Sequence, residues 1–531
     1  MFYYLRKCKL AIVAYIAVSV VYALILAATG FIYARVSEAA LSGDQKAFMT
    51  SSVIAVVFFL CDGYFDYLPR YLKFKLINQI MEETRNQLVT VYASEDLGEA
   101  AKDSQADKVH VLVHHLNILK TTYLTPLLSM VTSILVFSFS LIGALYLQGT
   151  MAMIMLALCF IPFLAPVINK GILARATKDS QEEKNVYLTL FSEFVEALSF
   201  IRISTITPVF KDKLAASNHE YTRRANRFAQ KQSQTYAVSY GLSSVVYSGA
   251  WIIGGIFVFQ GLLKISDLIA MTTLMGTVAG PIQTMSGLIT EYLASRTVVE
   301  ELTGLLNRKE EGQAAKPVLK ESITSLALEG IDCRYQDHLI VENFSYLFHA
   351  NKKYAILGKS GSGKTTLLRL LLGIQKPEAG RVLVNQRNLA DLEQTSFFGK
   401  IYYLPQKTAI FSASIGENLS LFGPLDQRKA LTCLSRVGLL DWFERQENGF
   451  ATLLSSAQQL SGGEERRFDI ARALYRDAEV LLFDEPTTGL DTRNESLIAE
   501  TLSKIEDKLV TVVTHSQNEE FLGLFDERLV L

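Results

Sequence analysis

Lys353-Tyr354-Ala355-Ile356-Leu357-Gly358-Lys359-Ser360-Gly361-Ser362-Gly363-Lys364-Thr365-Thr366 is the stretch on which the reading of the carboxyl-terminal part of the chain turns. Lys353 to Leu357 reads as a short strand, Gly358 to Thr365 fits G-x-x-x-x-G-K-[ST], and Thr365 to Leu372 continues as a helix. A glycine-rich turn between strand and helix lets successive backbone N–H groups converge on one anionic centre, and the helix dipole adds to the attraction. Gly358, Ser360, Gly361, Ser362, Gly363, Lys364, Thr365 and Thr366 are therefore the candidate phosphate-binding residues. Lys364 is placed to reach terminal phosphates, and the Thr365 hydroxyl is a candidate magnesium ligand.

Downstream, Val480 to Phe483 is a continuous apolar run that ends in Asp484-Glu485-Pro486. Such a run reads as a buried parallel strand, and its two carboxylates emerge at the carboxyl end, where open α/β sheets bind ligands. Asp484 is placed to hold a metal shell, and Glu485 to orient or deprotonate an attacking water. Between the two motifs, Leu460-Ser461-Gly462-Gly463-Glu464 offers a hydroxyl and successive glycine amides at a helix start, a second phosphate-directed nest. Further short strands, Arg381 to Val384, Lys400 to Leu404 and Val510 to Val513, alternate with amphipathic helices, so 322–531 reads as an α/β P-loop nucleotide-binding domain.

Toward the amino terminus, Glu300 to Lys320 is polar and its helical pattern ends near Gly312 and Pro317, which places a linker at 311–321. Residues 1–310 read as an all-α transmembrane domain of six helices. Leu10 to Ile32 carries no charge over 23 residues, about 34 Å of helix against a hydrocarbon core of about 30 Å. The other spans are Ala47 to Leu68, Leu124 to Leu147, Met151 to Ile168, Tyr236 to Leu263, and Leu268 to Thr290, the last expected to break at Gly280-Pro281. Gln148, Gly149 and Thr150 form a short outer turn between spans three and four. Arg6, Lys7, Lys9, Arg70, Lys73, Lys75, Lys120, Lys170, Arg175 and Lys231 flank the spans on one side, which identifies that side as cytoplasmic. The connections there, Pro69 to Tyr123 and Asn169 to Thr235, hold 55 and 67 residues of mixed charge, enough for two long helices each, with turns expected near Ser94 to Ser104 and Thr205 to Lys211. Asp62, Asp66, Gln260 and Gln283 are candidates for lining a polar pathway.

The composition agrees. Of 531 residues, 50% are apolar and 20% charged, against about 25% charged in an ordinary globular protein, which excludes disorder and indicates a membrane protein with a soluble part. Fifty-two basic against 53 acidic residues leave no positive field for nucleic acid, which is not an expected partner. Cys8, Cys61, Cys159, Cys333 and Cys433 are far apart and form no CxxC pair, so neither a disulfide framework nor a zinc site is signalled.

Together these motifs resemble the ATP-binding cassette superfamily, and with six preceding spans the chain is similar to a half-transporter of the exporter type. The resemblance implies ATP and Mg2+ as cofactors, Tyr335 stacking on adenine, and Gln406 in Tyr403-Leu404-Pro405-Gln406 sensing magnesium and the membrane domain. It implies that Ser461, Gly462 and Gly463 form the signature, that Asp491 in Gly489-Leu490-Asp491 belongs to the loop after the catalytic carboxylate, and that His515 contacts the γ-phosphate. Catalytic roles then fall to Glu485, His515, Lys364 and Gln406, and metal contacts to Thr365, Gln406 and Asp484. Glu464 stands where the family usually has glutamine, and Thr452 to Ala457 lacks the usual glutamate and glycine pattern. Because only 16 residues follow His515, added carboxyl-terminal dimer contacts are not expected, and with no peptidase-like segment ahead of span one neither is leader cleavage.

The implied setting is a multi-pass protein of the cell membrane, in contact with lipid, its cassette in the cytoplasm and its partner a second half-transporter, identical or related. The implied function is ATP-driven export, with peptide ahead of lipid or drug as cargo. A membrane-anchored regulatory or immunity subunit that binds ATP with little turnover is the alternative from another class.

Overall fold

Charge-poor segments in hydrocarbon satisfy their backbone groups only within helices or closed barrels, and among the described residues the amino-terminal unit is helical throughout. The computed structural model describes residues 8–95, 98, 105–161, 164–307, 316–335, 338–359, 361–406, 408–454, 460–487 and 492–531. It divides into two units, Met1–Thr90 with Ala106–Leu306, and Val91–Gln105 with Asn307–Leu531. Of the expected linker, 311–315 lies outside the described residues.

The first unit is built from α1 (Lys9–Leu41), α2 (Gln45–Ser94), α3 (Asp107–Leu147), α4 (Gly149–Cys159), α5 (Leu164–Glu196), α6 (Leu198–Ile203), α7 (Thr207–Phe259) and α8 (Ile265–Asn307). Among the described residues five of these, α1, α2, α3, α7 and α8, are long and apolar enough to cross a membrane. The fourth expected span, Met151 to Ile168, takes in the short apolar helix α4 and the start of α5, and residues 162–163 between them lie outside the described residues. The expected break at Gly280-Pro281 is corrected: α8 runs through Pro281 without interruption.

With 53 residues, α7 measures about 80 Å, far longer than a hydrocarbon core, and α2 with 50 residues is nearly as long. The turn expected near Thr205 lies between α6 and α7, with Thr205 at φ 57°. Most of the turn expected at Ser94 to Ser104 falls outside the described residues. Close packing places α1 against α8, since a Cβ on Gly30 would stand 2.9 Å from Leu274 Cγ. Of the polar span residues, Asp66 pairs with Arg70 at 2.9 Å and the Gln283 amide donates to Ser243 Oγ at 2.8 Å.

The second unit holds β1 (Ser325–Tyr335), β2 (His338–His349), β3 (Lys353–Leu357), α9 (Lys364–Leu371), β4 (Ala379–Val384), β5 (Arg387–Asn388), β6 (Ile401–Leu404), β7 (Ala413–Ser414), β8 (Leu453–Leu454), α10 (Gly462–Arg476), β9 (Val480–Asp484), β10 (Leu509–Val513) and β11 (Glu527–Val530), with short helices between them. The order β2-β1-β4-β5 makes an antiparallel sheet, and β11-β3-β10-β9-β6 a parallel one. β9 and β10 are buried along their whole length, as near-continuous apolar runs, interrupted only by Thr511 and the terminal Asp484, require of central parallel strands. Register places Leu404 beside Phe483, Asp484 beside Val513, and Val513 beside Ile356. The residues that follow these strands, Gly358, Gln406, Glu485 and His515, therefore share one edge.

Candidate nucleotide site

The site grows from that edge. Gly361 and Gly363 sit at φ +85° and +93°, a region costly for any residue with a Cβ, and a Cβ on Gly363 would lie 2.5 Å from Ile340 Cγ2. Gly363 caps α9, and Lys364 opens it almost fully buried. The Lys364 ammonium donates to the carbonyls of Gly358 (2.9 Å) and Lys359 (2.8 Å), which folds it over the loop. Among the described residues the buried Ser362 hydroxyl in the same cradle has no hydrogen-bond partner, a donor orphaned in the place where an anionic oxygen would satisfy it. Thr366 lies half-buried on the first turn of α9. Ser360 lies outside the described residues.

Across the edge, the Thr365 hydroxyl donates to Asp484 Oδ1 at 3.2 Å, and the Tyr403 hydroxyl to Oδ2 at 3.4 Å. Burial pushes the Asp484 carboxyl up from its ordinary value, with the neighbouring Glu485 charge adding to the rise, against the opposing pull of Thr365, Tyr403 and Arg369. A hydroxyl and a carboxylate side by side are hard oxygen donors of the kind Mg2+ takes. Glu485 follows at φ 52°, its N–H bonded to the Val513 carbonyl at 3.0 Å. Its carboxylate meets two of the expected site residues: His515 Nε2 lies 3.0 Å from Oε1, and the Gln406 amide donates to Oε2 at 3.1 Å. Lys364, Thr365, Asp484, Glu485, Gln406 and His515 are thus brought to one edge.

Ser461 stands apart, as the exposed N-cap of α10. Its hydroxyl and N–H both donate to Glu464 Oε2 at 2.8 Å, and its oxygen accepts the Glu464 N–H at 3.3 Å, a complete capping box. Gly462 is exposed and Gly463 half-exposed, so the nest is open on its outer side. The side chain of Tyr335 and residues 488–491, including Asp491, lie outside the described residues.

Two contributors escaped the reading of the sequence. Tyr403 stands within the Gln406 motif, and strand alternation, which sends it and Tyr402 to opposite faces, is the signal that singles it out. Arg466, almost fully buried, donates through Nη1 to the Pro405 carbonyl and through Nη2 to the Gln406 carbonyl. Burial pulls its pKa down, while Asp469, Asp484, Glu485 and Glu465 hold it up. No local pattern flags a contact that spans 60 residues.

Fold and site define a class first: a multi-helical membrane unit fused to a P-loop nucleotide-binding domain. Residues 12–282 match the model of the ABC transporter transmembrane region, about half of the chain, and residues 341–488 match that of the ABC transporter itself. The chain belongs to the ABC transporter family and is a multi-pass membrane protein. It is 27% identical over 398 residues to the lactococcin-G-processing and transport ATP-binding protein LagD of Lactococcus lactis subsp. lactis, covering 70% of this chain and 55% of that one. It is 26% identical over 361 residues to the alpha-hemolysin translocation ATP-binding protein HlyB of Escherichia coli O157:H7, covering 66% and 50%. The chain thus spans about half the length of these relatives. A solved bacterial Atm1-family ABC exporter with ATP bound shares the fold, with a TM-score of 0.83 at 18% identity over 99% of this chain and 93% of that one.

Proposed function

We propose that the chain is one half of an ATP-driven exporter whose two ATP sites are each shared between two copies, or between this chain and a related one. The observation that carries the reading is the division of the polar machinery. Lys364, Thr365, Asp484, Glu485, Gln406 and His515 converge on one sheet edge, while the Ser461 nest opens outward, free to meet a phosphate held by another chain. Lys364 and the loop amides bind the terminal phosphates of ATP, with the Ser362 hydroxyl as a further donor. Thr365, Asp484 and Gln406 would hold Mg2+, which supplies charge neutralisation at the phosphates when bound. Glu485 orients the attacking water and accepts its proton, His515 holds one Glu485 oxygen and faces the γ-phosphate, and Gln406 holds the other. Tyr335 and Asp491 complete the proposed nucleotide site. Residues 1–310 form the membrane domain, 311–321 the linker and 322–531 the cassette.

Peptide is the proposed cargo, ahead of lipid or drug, supported by relatives named for lactococcin G transport and alpha-hemolysin translocation. Mixing a Lys364→Ala chain with a Ser461→Ala chain tests the shared site. In a head-to-tail mixed pair one site carries both defects and the other none, so single-turnover hydrolysis, which needs one whole site, should return. Differentially tagged mixed pairs that stay inactive would exclude sharing. Stimulation of the purified protein's ATPase by peptides, but not by lipids or small drugs, is the expected signature of the cargo.

A further inference from the structure

Helix α10 carries the phosphate nest at its first turn, and one turn further on it carries Arg466. Residues four apart share a helix face, so Arg466 stands one turn on from Gly462 along the same helix. Its guanidinium forks to two successive carbonyls, those of Pro405 and Gln406, a two-point hold that a single ammonium cannot reproduce. From there the contacts continue through the Gln406 amide to Glu485 Oε2 at 3.1 Å, and from Glu485 Oε1 to His515 Nε2 at 3.0 Å. Arg472, about three turns past the nest, differs. It holds the carbonyls of Ala409 (2.6 Å) and Asn418 (2.7 Å) and pairs with the buried Asp469 at 3.6 Å, an arrangement that fixes the loop without touching the catalytic carboxylates.

We propose that Arg466 is a positioning residue of the hydrolytic site: by gripping the Gln406 main chain from α10 it sets the reach of the Gln406 amide to Glu485, and so ties the nest at Ser461–Gly463 to the water-orienting carboxylate of the same chain. The coupling to the nest rests on the shared-site reading; the hold on Glu485 does not. A signature engaged by a partner's nucleotide shifts α10, and Arg466 transmits the shift to the group that orients water.

The test uses the full-length protein in lipid nanodiscs, with turnover, KM for ATP and affinity for a non-hydrolysed ATP analogue measured together. Arg466→Ala should lower kcat by about tenfold or more, the cost of misplacing a catalytic group by a fraction of an ångström to an ångström, with analogue affinity unchanged. Arg466→Lys keeps the charge without the fork and should recover part of the loss; if the alanine variant does not fold, this variant carries the measurement. Gln406→Ala with Arg466→Ala should be no slower than Gln406→Ala alone, because Arg466 acts through Gln406. Multiplying effects in that cycle, an unchanged kcat in Arg466→Ala, or a loss that follows the folded fraction would each overturn the proposal. Ser461→Ala is run beside them: wild-type turnover there would sink the shared-site reading and leave the Gln406 cycle to judge the hold on Glu485.

Discussion

The five parallel strands of the second unit have two ends, and the two are built on opposite principles. At the amino ends the charges are matched. Lys400 reaches Glu479 at 2.8 Å, the second Glu479 oxygen accepts the Ile323 N–H at 2.6 Å, Lys508 reaches Asp477 at 2.7 Å, and the Lys353 N–H donates to Asp526 at 2.7 Å. At the carboxyl ends Asp484 and Glu485 stand next to each other, Glu485 in left-handed backbone, with an orphaned hydroxyl at Ser362 in the neighbouring loop. The same strands thus end in closed electrostatics on one side and in groups that a phosphate and a divalent cation would complete on the other. Strain and like charge gather where a ligand is to be bound.

The comparison is broken most sharply at Glu485. Glu485→Gln keeps the size of the side chain and removes the proposed proton acceptor, so turnover should fall by roughly 10² to 10⁴ with ATP binding retained. Lys364→Ala should weaken binding itself. Hydrolysis by the Glu485→Gln protein at the wild-type rate would move the water-orienting role to another group.

What was legible in the sequence follows the same division between local and distant causes. The loop from Gly358 to Thr365 and the apolar run into Asp484-Glu485 are contiguous patterns, and register alone then carries Gln406 and His515 to the same edge. Charge-free runs gave five spanning helices, because hydrocarbon selects on composition over about 20 residues. The continuity of α8 at Pro281 was not legible, because whether proline breaks a helix depends on what neighbouring groups do with the carbonyl it leaves without a donor. Arg466 was invisible for a related reason: an arginine in a helix rich in charge reads as solvated until the fold buries it against Pro405 and Gln406.

A smaller effect sharpens the comparison at Asp484. Its carboxyl is raised by burial, with Glu485 adding to the rise, so in the folded, metal-free protein it takes a proton more readily than it does unfolded. A raised pKa adds stability that is fully present below the unfolded value of about 3.9 and is lost as pH rises through the folded value. Above the folded value the metal-free cassette therefore carries a buried charge that Asp484→Asn removes. In chelator, Asp484→Asn should raise the cassette's melting temperature by about 2 to 4 °C, on the order of 1 kcal/mol for a domain of this size, and the gain should vanish in acid. Wild-type Mg2+ affinity should fall on acidification at a pH above that of an ordinary carboxylate. A gain that persisted unchanged into acid would show that charge is not its cause.

The smallest expected effect is at the matched end, and there the sign reverses. Burial alone would raise the Glu479 carboxyl, but the Lys400 hydrogen bond, the Ile323 N–H and the Lys400 charge outweigh it and hold the group below its usual range. A depressed carboxylate adds stability that is present above the unfolded value of about 4.3 and is lost as pH falls through the folded one. Glu479→Gln leaves one acceptor oxygen for two donors and turns an amide N–H toward the other, a cost of about 1 kcal/mol after allowing for the pair's partial exposure to solvent. The measurement is the melting temperature of wild type and variant from neutral pH into acid. The variant should melt lower at pH 7, and the gap should narrow below about pH 4, where the wild-type carboxylate protonates and loses its own advantage. Turnover per folded molecule should not change, because Glu479 lies at the edge remote from Lys364 and Glu485. An equal melting temperature at pH 7 would mean that the matched charges at this end contribute nothing measurable, and the contrast between the two ends would then rest on the carboxyl edge alone.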